Sequence, residues 1–183
     1  NAARLAADLA HLRAHLPDVE IVQVRDRALI ALQGPAAVAV IAAIAPEVTA
    51  MRFMDHRILD SRFGPLWVSR SGYTGEDGVE VSVPAETAEP LLRALLADDR
   101  VAPVGLGARD SLRLEAGLCL YGADLDATTS PVEAGLGWAI QKRRREGAGG
   151  FPGADRIRRE LREGPARRRV GLINRPRLVR RRG

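Results

Sequence analysis

The sequence predicts an α+β fold in which mixed or antiparallel sheets are covered by helices. Short alternating runs are separated by tight turn signals such as Gly64-Pro65, not by the long crossovers that a parallel sheet needs. Val79, Val81 and Val83 alternate with Glu80 and Ser82, so one face of that strand is apolar and the other polar. Helical stripes follow the strands: an Ala/Val/Ile run after Gly34-Pro35, and Leu91, Leu92, Leu95 and Leu96 further on. Strand–strand–helix units in this order build a sandwich of sheet and helices.

With 183 residues the chain can bury a substantial core. Aromatics make up 4%, so that core rests on Ala, Leu, Val and Ile. No apolar run approaches the ~18 residues that span a bilayer, and a single cysteine, Cys119, excludes an internal disulfide or a cysteine-rich metal site. The net charge of +5 is divided unevenly. Residues 1–141 carry 12 arginines and 19 carboxylates, whereas residues 142–183 carry 16 basic residues and 4 acids. A basic tail on an acidic body fits either a nucleic-acid arm or a segment that wraps an acidic partner. The runs Lys142–Arg145 and Arg167–Arg169 lack interleaved aromatics for base stacking, which disfavours nucleic acid.

In chain order, Asn1 is placed to cap a first helix with Leu5, Leu9, Leu12 and Leu16 on one face. His11 and His15 share a face of it; without a third ligand nearby they read as a solvent-facing pair. Val19–Val24 and Ala28–Gln33 read as two strands joined at Arg25-Asp26-Arg27. Arg57–Phe63 and Leu66–Ser71 read as a hairpin. Thr87 caps a helix with Pro90 in its first turn, where the missing N–H is harmless. A short helix is bracketed by Gly105 and Gly117. Arg109 near its start faces the unfavourable end of the helix dipole, an arrangement that suits an anionic partner; the alternative is a solvated Arg109 beside an Asp110–Arg113 surface pair. Cys119 reads as a packing residue, and Asp124-Leu125-Asp126 lacks the glycine and glutamate of a calcium loop. A charged helix over 154–162 and a strand over 167–173 complete the pattern.

Two stretches carry candidate chemistry. In Ser71–Val83, three glycines make a loop that bears Tyr73, Glu76 and Asp77, and the strand after it displays Glu80 on its polar face. A carboxylate held on a strand can read an N–H edge of a ligand, although a hairpin strand with one wet face accounts for the same pattern. In Gly135-Leu136-Gly137-Trp138, a large ring stands between small neighbours, as a core plug or as a stacking platform. No dinucleotide fingerprint, phosphate loop, zinc spacing or nucleophile elbow is present.

Taken together, Asn1-Ala2, Ala31–Pro35, Gly72–Glu80, Gly105–Gly122 and Pro131–Trp138 resemble the aminomethyltransferase (T-protein) family of the glycine cleavage system, in register over about residues 1–173. Lys142–Arg145, Phe151–Ala154 and Arg167–Gly171 resemble the branch that includes its mitochondrial members. The resemblance implies a folate-binding fold, with 1–146 as an incomplete core, 147–166 as a linker with a short helix, and 167–183 as the first strand of a truncated C-terminal barrel. It implies transfer of the methylene carbon from the aminomethyl-lipoyl arm of the H-protein to tetrahydrofolate, with release of ammonia. The implied co-substrate is tetrahydrofolate, the implied partner is the lipoylated H-protein, and no metal or membrane is implied. The implied compartment is the cytoplasm in a bacterium or the mitochondrial matrix in a eukaryote.

Positions matching the folate-contacting residues of that family are Asn1, Tyr73, Glu80, Arg109, Trp138 and Arg169. Their chemistry agrees: Glu80 for the pterin N–H edge, Tyr73 and Trp138 for a flat heterocycle, Arg109 and Arg169 for folate carboxylates. The family's catalytic aspartate lies upstream of the position matching Asn1, so the chain is expected to be a fragment, inactive alone and weak in folate binding. Asn174–Gly183 matches no part of the family pattern. Two further readings stand beside this one: the folate domain of a sarcosine or dimethylglycine dehydrogenase, and a non-catalytic nucleic-acid module built on the arginine-rich tail.

Overall fold

A computed structural model describes residues 2–147 and 150–172. Asn1, Ile173 and the tail 174–183 therefore lie outside the described residues. The chain divides into two compact units, one up to Leu118 and one from Cys119 onward.

The first unit is an antiparallel sheet with two of its helices packed on one face. Its elements run α1 (Leu5–His15), β1 (Arg27–Gln33), α2 (Ala37–Ile41), a 3-10 turn at Pro46–Ala50, β2 (His56–Leu59), β3 (Leu66–Ser69), β4 (Gly78–Pro84), α3 (Ala88–Leu96) and α4 (Leu106–Glu115). The strand order is β1-β4-β3-β2, with β2 and β3 forming the expected hairpin. Alternation on β4 has the expected result: Val79, Val81 and Val83 are wholly buried, and Glu80 and Ser82 lie on the opposite face. Ala28, Ile30 and Leu32 of β1 are paired with those valines, so their side chains join the same apolar layer. Leu66 and Val68 of β3 complete it under Ala37, Val40 and Ile41 of α2 and Leu91 and Leu95 of α3.

Several local expectations change. Residues 19–24 form no strand, and Val19, Val22 and Val24 are exposed. The Asp26 carbonyl accepts the Ala85 N–H at 2.9 Å just beyond the β1–β4 ladder, and residues 19–24 add no strand to the other edge of β1. The leucine stripe of α1 is uncovered, with Leu5, Leu12 and Leu16 exposed. On α3 only Leu91 and Leu95 are buried; Leu92 and Leu96 turn outward, because nine residues in a single layer bury one narrow stripe. Thr87 makes no capping bond. Its hydroxyl instead donates to the carbonyls of Phe63 at 2.7 Å and Pro84 at 3.2 Å, tying the helix entry to the β2–β3 loop.

In the second unit, a turn-rich segment leads to a 3-10 turn at Gly137–Ala139, then α5 (Lys142–Glu146) and α6 (Ala154–Glu163). Asp124 accepts the Leu120 N–H at 2.8 Å, and Asp126 accepts the Thr128 N–H at 2.9 Å, so both acids serve as turn caps. Helix α6 buries Ala154, Ile157 and Glu160 along one stripe. The strand expected over 167–173 is not formed among the described residues 167–172. The Arg169 N–H goes to the Glu133 carbonyl at 2.8 Å, a contact with a turn and not with a neighbouring strand.

Candidate functional site

The glycine-rich loop between β3 and β4 is built around Gln33, the last residue of β1. The Gln33 amide nitrogen donates to the carbonyls of Ser71 at 3.0 Å and Val79 at 3.2 Å, and its oxygen accepts the Thr74 hydroxyl at 3.1 Å. One side chain thus grips the loop at both ends and in the middle. Gly78 enters β4 so close to β1 that a Cβ would lie 2.6 Å from the Leu32 carbonyl oxygen. Gly75 has φ +80, and a Cβ there would come within 2.6 Å of Ala116 Cβ at the end of α4.

The acids of the loop have separate tasks. Asp77 forms a bidentate pair with Arg70, at 3.1 Å and 2.7 Å, and accepts the Gly78 N–H at 2.9 Å. The Arg70 guanidinium holds its carboxyl below the usual aspartate range, with the Gly78 N–H adding to the effect. Arg70 also donates to the Met51 carbonyl, so this pair anchors the loop to the core side of the sheet. Asp77 is structural.

Glu80 sits on the other face of β4, half-buried, and accepts the Ser71 hydroxyl at 3.0 Å. Its cross-strand neighbours are Ala31 on β1 and Ser69 on β3, both small, so the carboxylate stands between low neighbours. Tyr73 and Arg109 come together: the guanidinium carbon lies 5.0 Å from the ring centroid. The cation near the start of α4 is therefore met by a π face from the glycine-rich loop. Asp110 pairs with Arg113 at 2.7 Å as expected, but Arg113 is buried and also donates to the Leu118 carbonyl at 3.2 Å, so it fixes the helix end and is not a surface residue.

Within the second unit, Trp138 is 77% exposed, which removes the core-plug reading of its ring. Arg169 donates through Nε to the Ala134 carbonyl at 2.9 Å. Cys119 is half-buried. His11 and His15 are exposed and stacked, with ring centroids 4.1 Å apart, and His15 Nδ1 lies 2.8 Å from the His11 carbonyl. Asn1 lies outside the described residues. Gln33, Ser71 and Glu133 are the working residues that pattern reading did not single out. The contacts of Gln33 and Glu133 span tens of residues in sequence, and a linear pattern carries no sign of them.

The chain matches the family described as the GCVT N-terminal domain over residues 1–144. It is 52% identical over 178 residues to a probable mitochondrial aminomethyltransferase of Schizosaccharomyces pombe, covering 94% of this chain and 46% of that relative. It is 49% identical to the mitochondrial aminomethyltransferase of Solanum tuberosum, covering 91% and 43%. Its fold is similar to the crystal structure of the glycine cleavage system aminomethyltransferase T from Bartonella henselae, with a TM-score of 0.78 and 43% identity over 90% of this chain and 45% of that one. The chain spans less than half the length of these relatives. With a family match over most of its length and relatives near 50% identity, the chain belongs to the aminomethyltransferase (GCVT) family.

Proposed function

We propose that this chain supplies the folate-reading part of an aminomethyltransferase of the glycine cleavage system. In this reading the complete protein moves the methylene carbon of an aminomethyl-lipoyl H-protein to tetrahydrofolate and releases ammonia. The observation that carries the proposal is Glu80: a carboxylate on the open face of β4, steadied by Ser71 and bordered by small residues.

Each named group has a task in this reading. Glu80 accepts N–H donors from the pterin edge, a pairing that fixes both the orientation and the identity of the ring. Tyr73, already faced by Arg109 on one side, offers its remaining surface to the ligand. Arg109 and Arg169 pair with the folate carboxylates, and the exposed Trp138 ring stacks on a flat part of the ligand. Within the first unit, Glu80 offers an acceptor for the ring, Tyr73 an aromatic face and Arg109 a cation, a set whose chemistry suits tetrahydrofolate. These residues bind and orient. The folate supplies the nucleophilic nitrogens that receive the carbon.

The basic segment Arg143–Arg145 is the proposed contact for the acidic surface of the H-protein. The mitochondrial matrix is the proposed compartment if the source is a eukaryote, in line with the names of the relatives. The deciding experiment is steady-state kinetics of the full-length enzyme carrying Glu80→Ala. The expected result is a KM for tetrahydrofolate raised at least about tenfold, since a lost charge-assisted bond contributes about 1.5–3 kcal/mol. An unchanged KM removes Glu80 from the site.

A further inference from the structure

The second unit holds a buried polar cluster that the folate reading leaves unused. Glu133 and Glu160 are both almost fully buried. The Glu133 carboxylate accepts the Ser130 N–H at 2.8 Å, Arg156 at 2.8 Å and Arg167 Nε at 3.0 Å. Glu160, from α6, accepts Arg156 Nε at 2.7 Å and the Ser130 hydroxyl. The Ser130 N–H, followed by the two guanidinium groups, holds the Glu133 carboxyl below the usual glutamate range, so the group remains charged despite its burial.

The cluster is placed to set one particular backbone. Arg167 is gripped by the Glu133 side chain and reaches the hydroxyls of Thr128 and Thr129, each at 3.3 Å. Two residues later, the Arg169 N–H binds the Glu133 main-chain carbonyl at 2.8 Å, and Arg169 Nε binds the Ala134 carbonyl at 2.9 Å. The same turn continues through Leu136 N–H to Pro131 O, at 2.7 Å, into the 3-10 turn that carries Trp138. Glu133 thus holds the segment 167–169 by its side chain and by its backbone.

We propose that Glu133 is the positioning residue for Arg169, acting through Arg167, and that it fixes where the Arg169 guanidinium presents itself to the carboxylate end of the folate. The inference rests on the assignment of Arg169 to folate binding. Without these bonds the segment that carries Arg169 would sample many conformations, and anchoring it before the ligand arrives removes that ordering cost from binding. Buried ion clusters are weak stabilisers when compared with apolar packing, so a positioning role also accounts for two buried carboxylates in so small a unit.

The test is a cycle in the full-length enzyme, using Glu133→Gln, Arg167→Met, Arg169→Ala and the double variant Glu133→Gln/Arg169→Ala. Arg167→Met guards against loss of folding in Glu133→Gln, because Arg167 is largely exposed and its removal leaves Glu133 paired with Arg156. Either single change at 133 or 167 is expected to raise the KM for tetrahydrofolate about tenfold with kcat within about twofold, and the double variant is expected to be no worse than Arg169→Ala alone. If Arg169→Ala raises the KM while Arg167→Met and Glu133→Gln leave it unchanged, the positioning role is overturned and the folate assignment stands. If Arg169→Ala itself leaves the KM unchanged, the assignment of Arg169 fails, and the positioning role fails with it. Additive losses in the double variant also overturn the proposal, since they would show that Glu133 acts through something other than Arg169.

Discussion

The Arg109 guanidinium lies over the face of Tyr73, 5.0 Å from the ring centroid, and so joins the start of α4 to the glycine-rich loop before β4. Residues 36 apart in sequence meet here because Gly75, close beside Tyr73, lets the loop approach the end of the same helix at Ala116. The glycine-rich loop and the helix bracketed by Gly105 and Gly117 are thus one structural object. A cation over a partly exposed ring contributes about 0.5–1 kcal/mol. A double-mutant cycle of Tyr73→Leu and Arg109→Met, read by urea unfolding, should return a coupling in that range. A coupling near zero would mean that the two groups are neighbours without mutual stabilisation.

Gly75→Ala should be costly. The residue has φ +80, where an L side chain is strained by about 1–2 kcal/mol, and the added methyl would also overlap Ala116 Cβ. A melting temperature lowered by several degrees is expected, and Ala116→Gly should restore part of the loss. Failure of that rescue would place the whole cost in the backbone conformation.

Gln33→Leu removes three hydrogen bonds that hold the 71–79 segment. At about 1 kcal/mol for each net bond, the expected loss is about 2–3 kcal/mol. Amide exchange should quicken within residues 71–78 while that of Val81 and Val83 stays slow. Uniform quickening across the sheet would show that Gln33 supports the fold at large and not the loop in particular.

One part of the acid response follows from Asp77. Arg70 depresses its folded-state pKa below the ordinary value of 3.8, so its contribution is fully present above that value and is lost as pH falls through the lower one. Wild type should exceed Asp77→Asn in melting temperature at pH 6, and the gap should narrow as pH falls below about 4. A gap that is constant down to pH 2 would show that the Arg70–Asp77 charge is irrelevant and that only the shape of the side chain matters.

Charge reversal of Arg143, Arg144 and Arg145 to glutamate should slow turnover of the complete enzyme with H-protein as donor, more at low salt than at high salt. Kinetics that are insensitive to the reversal would remove this segment from the docking surface.

Much of the first unit was legible in the sequence. Alternation at Val79, Val81 and Val83 identified both faces of β4, because strand periodicity depends only on local backbone geometry. Gly64-Pro65 located the β2–β3 hairpin for the same reason. The misread elements are those whose fate depends on what lies opposite them. Residues 19–24 have a strand-like pattern and no ladder, and residues 167–172, read as a strand, include Arg169, whose N–H binds a turn at Glu133 instead of a neighbouring strand. Leu5, Leu12 and Leu16 have helical spacing, and no layer among the described residues buries them.

The sequence by itself determined the family, the sheet-and-helix class and the polar face on which Glu80 stands, since motif order and short-range periodicity are properties of the linear chain. Only the tertiary structure decided which polar groups work together. Gln33 as the clamp of the glycine-rich loop, Tyr73 against Arg109, Asp77 tied to Arg70, and Glu133 between Arg156 and Arg167 are all made by side chains meeting across turns and ladders. Such contacts follow from how the backbone returns on itself, and burial then forces each polar group to find a partner there.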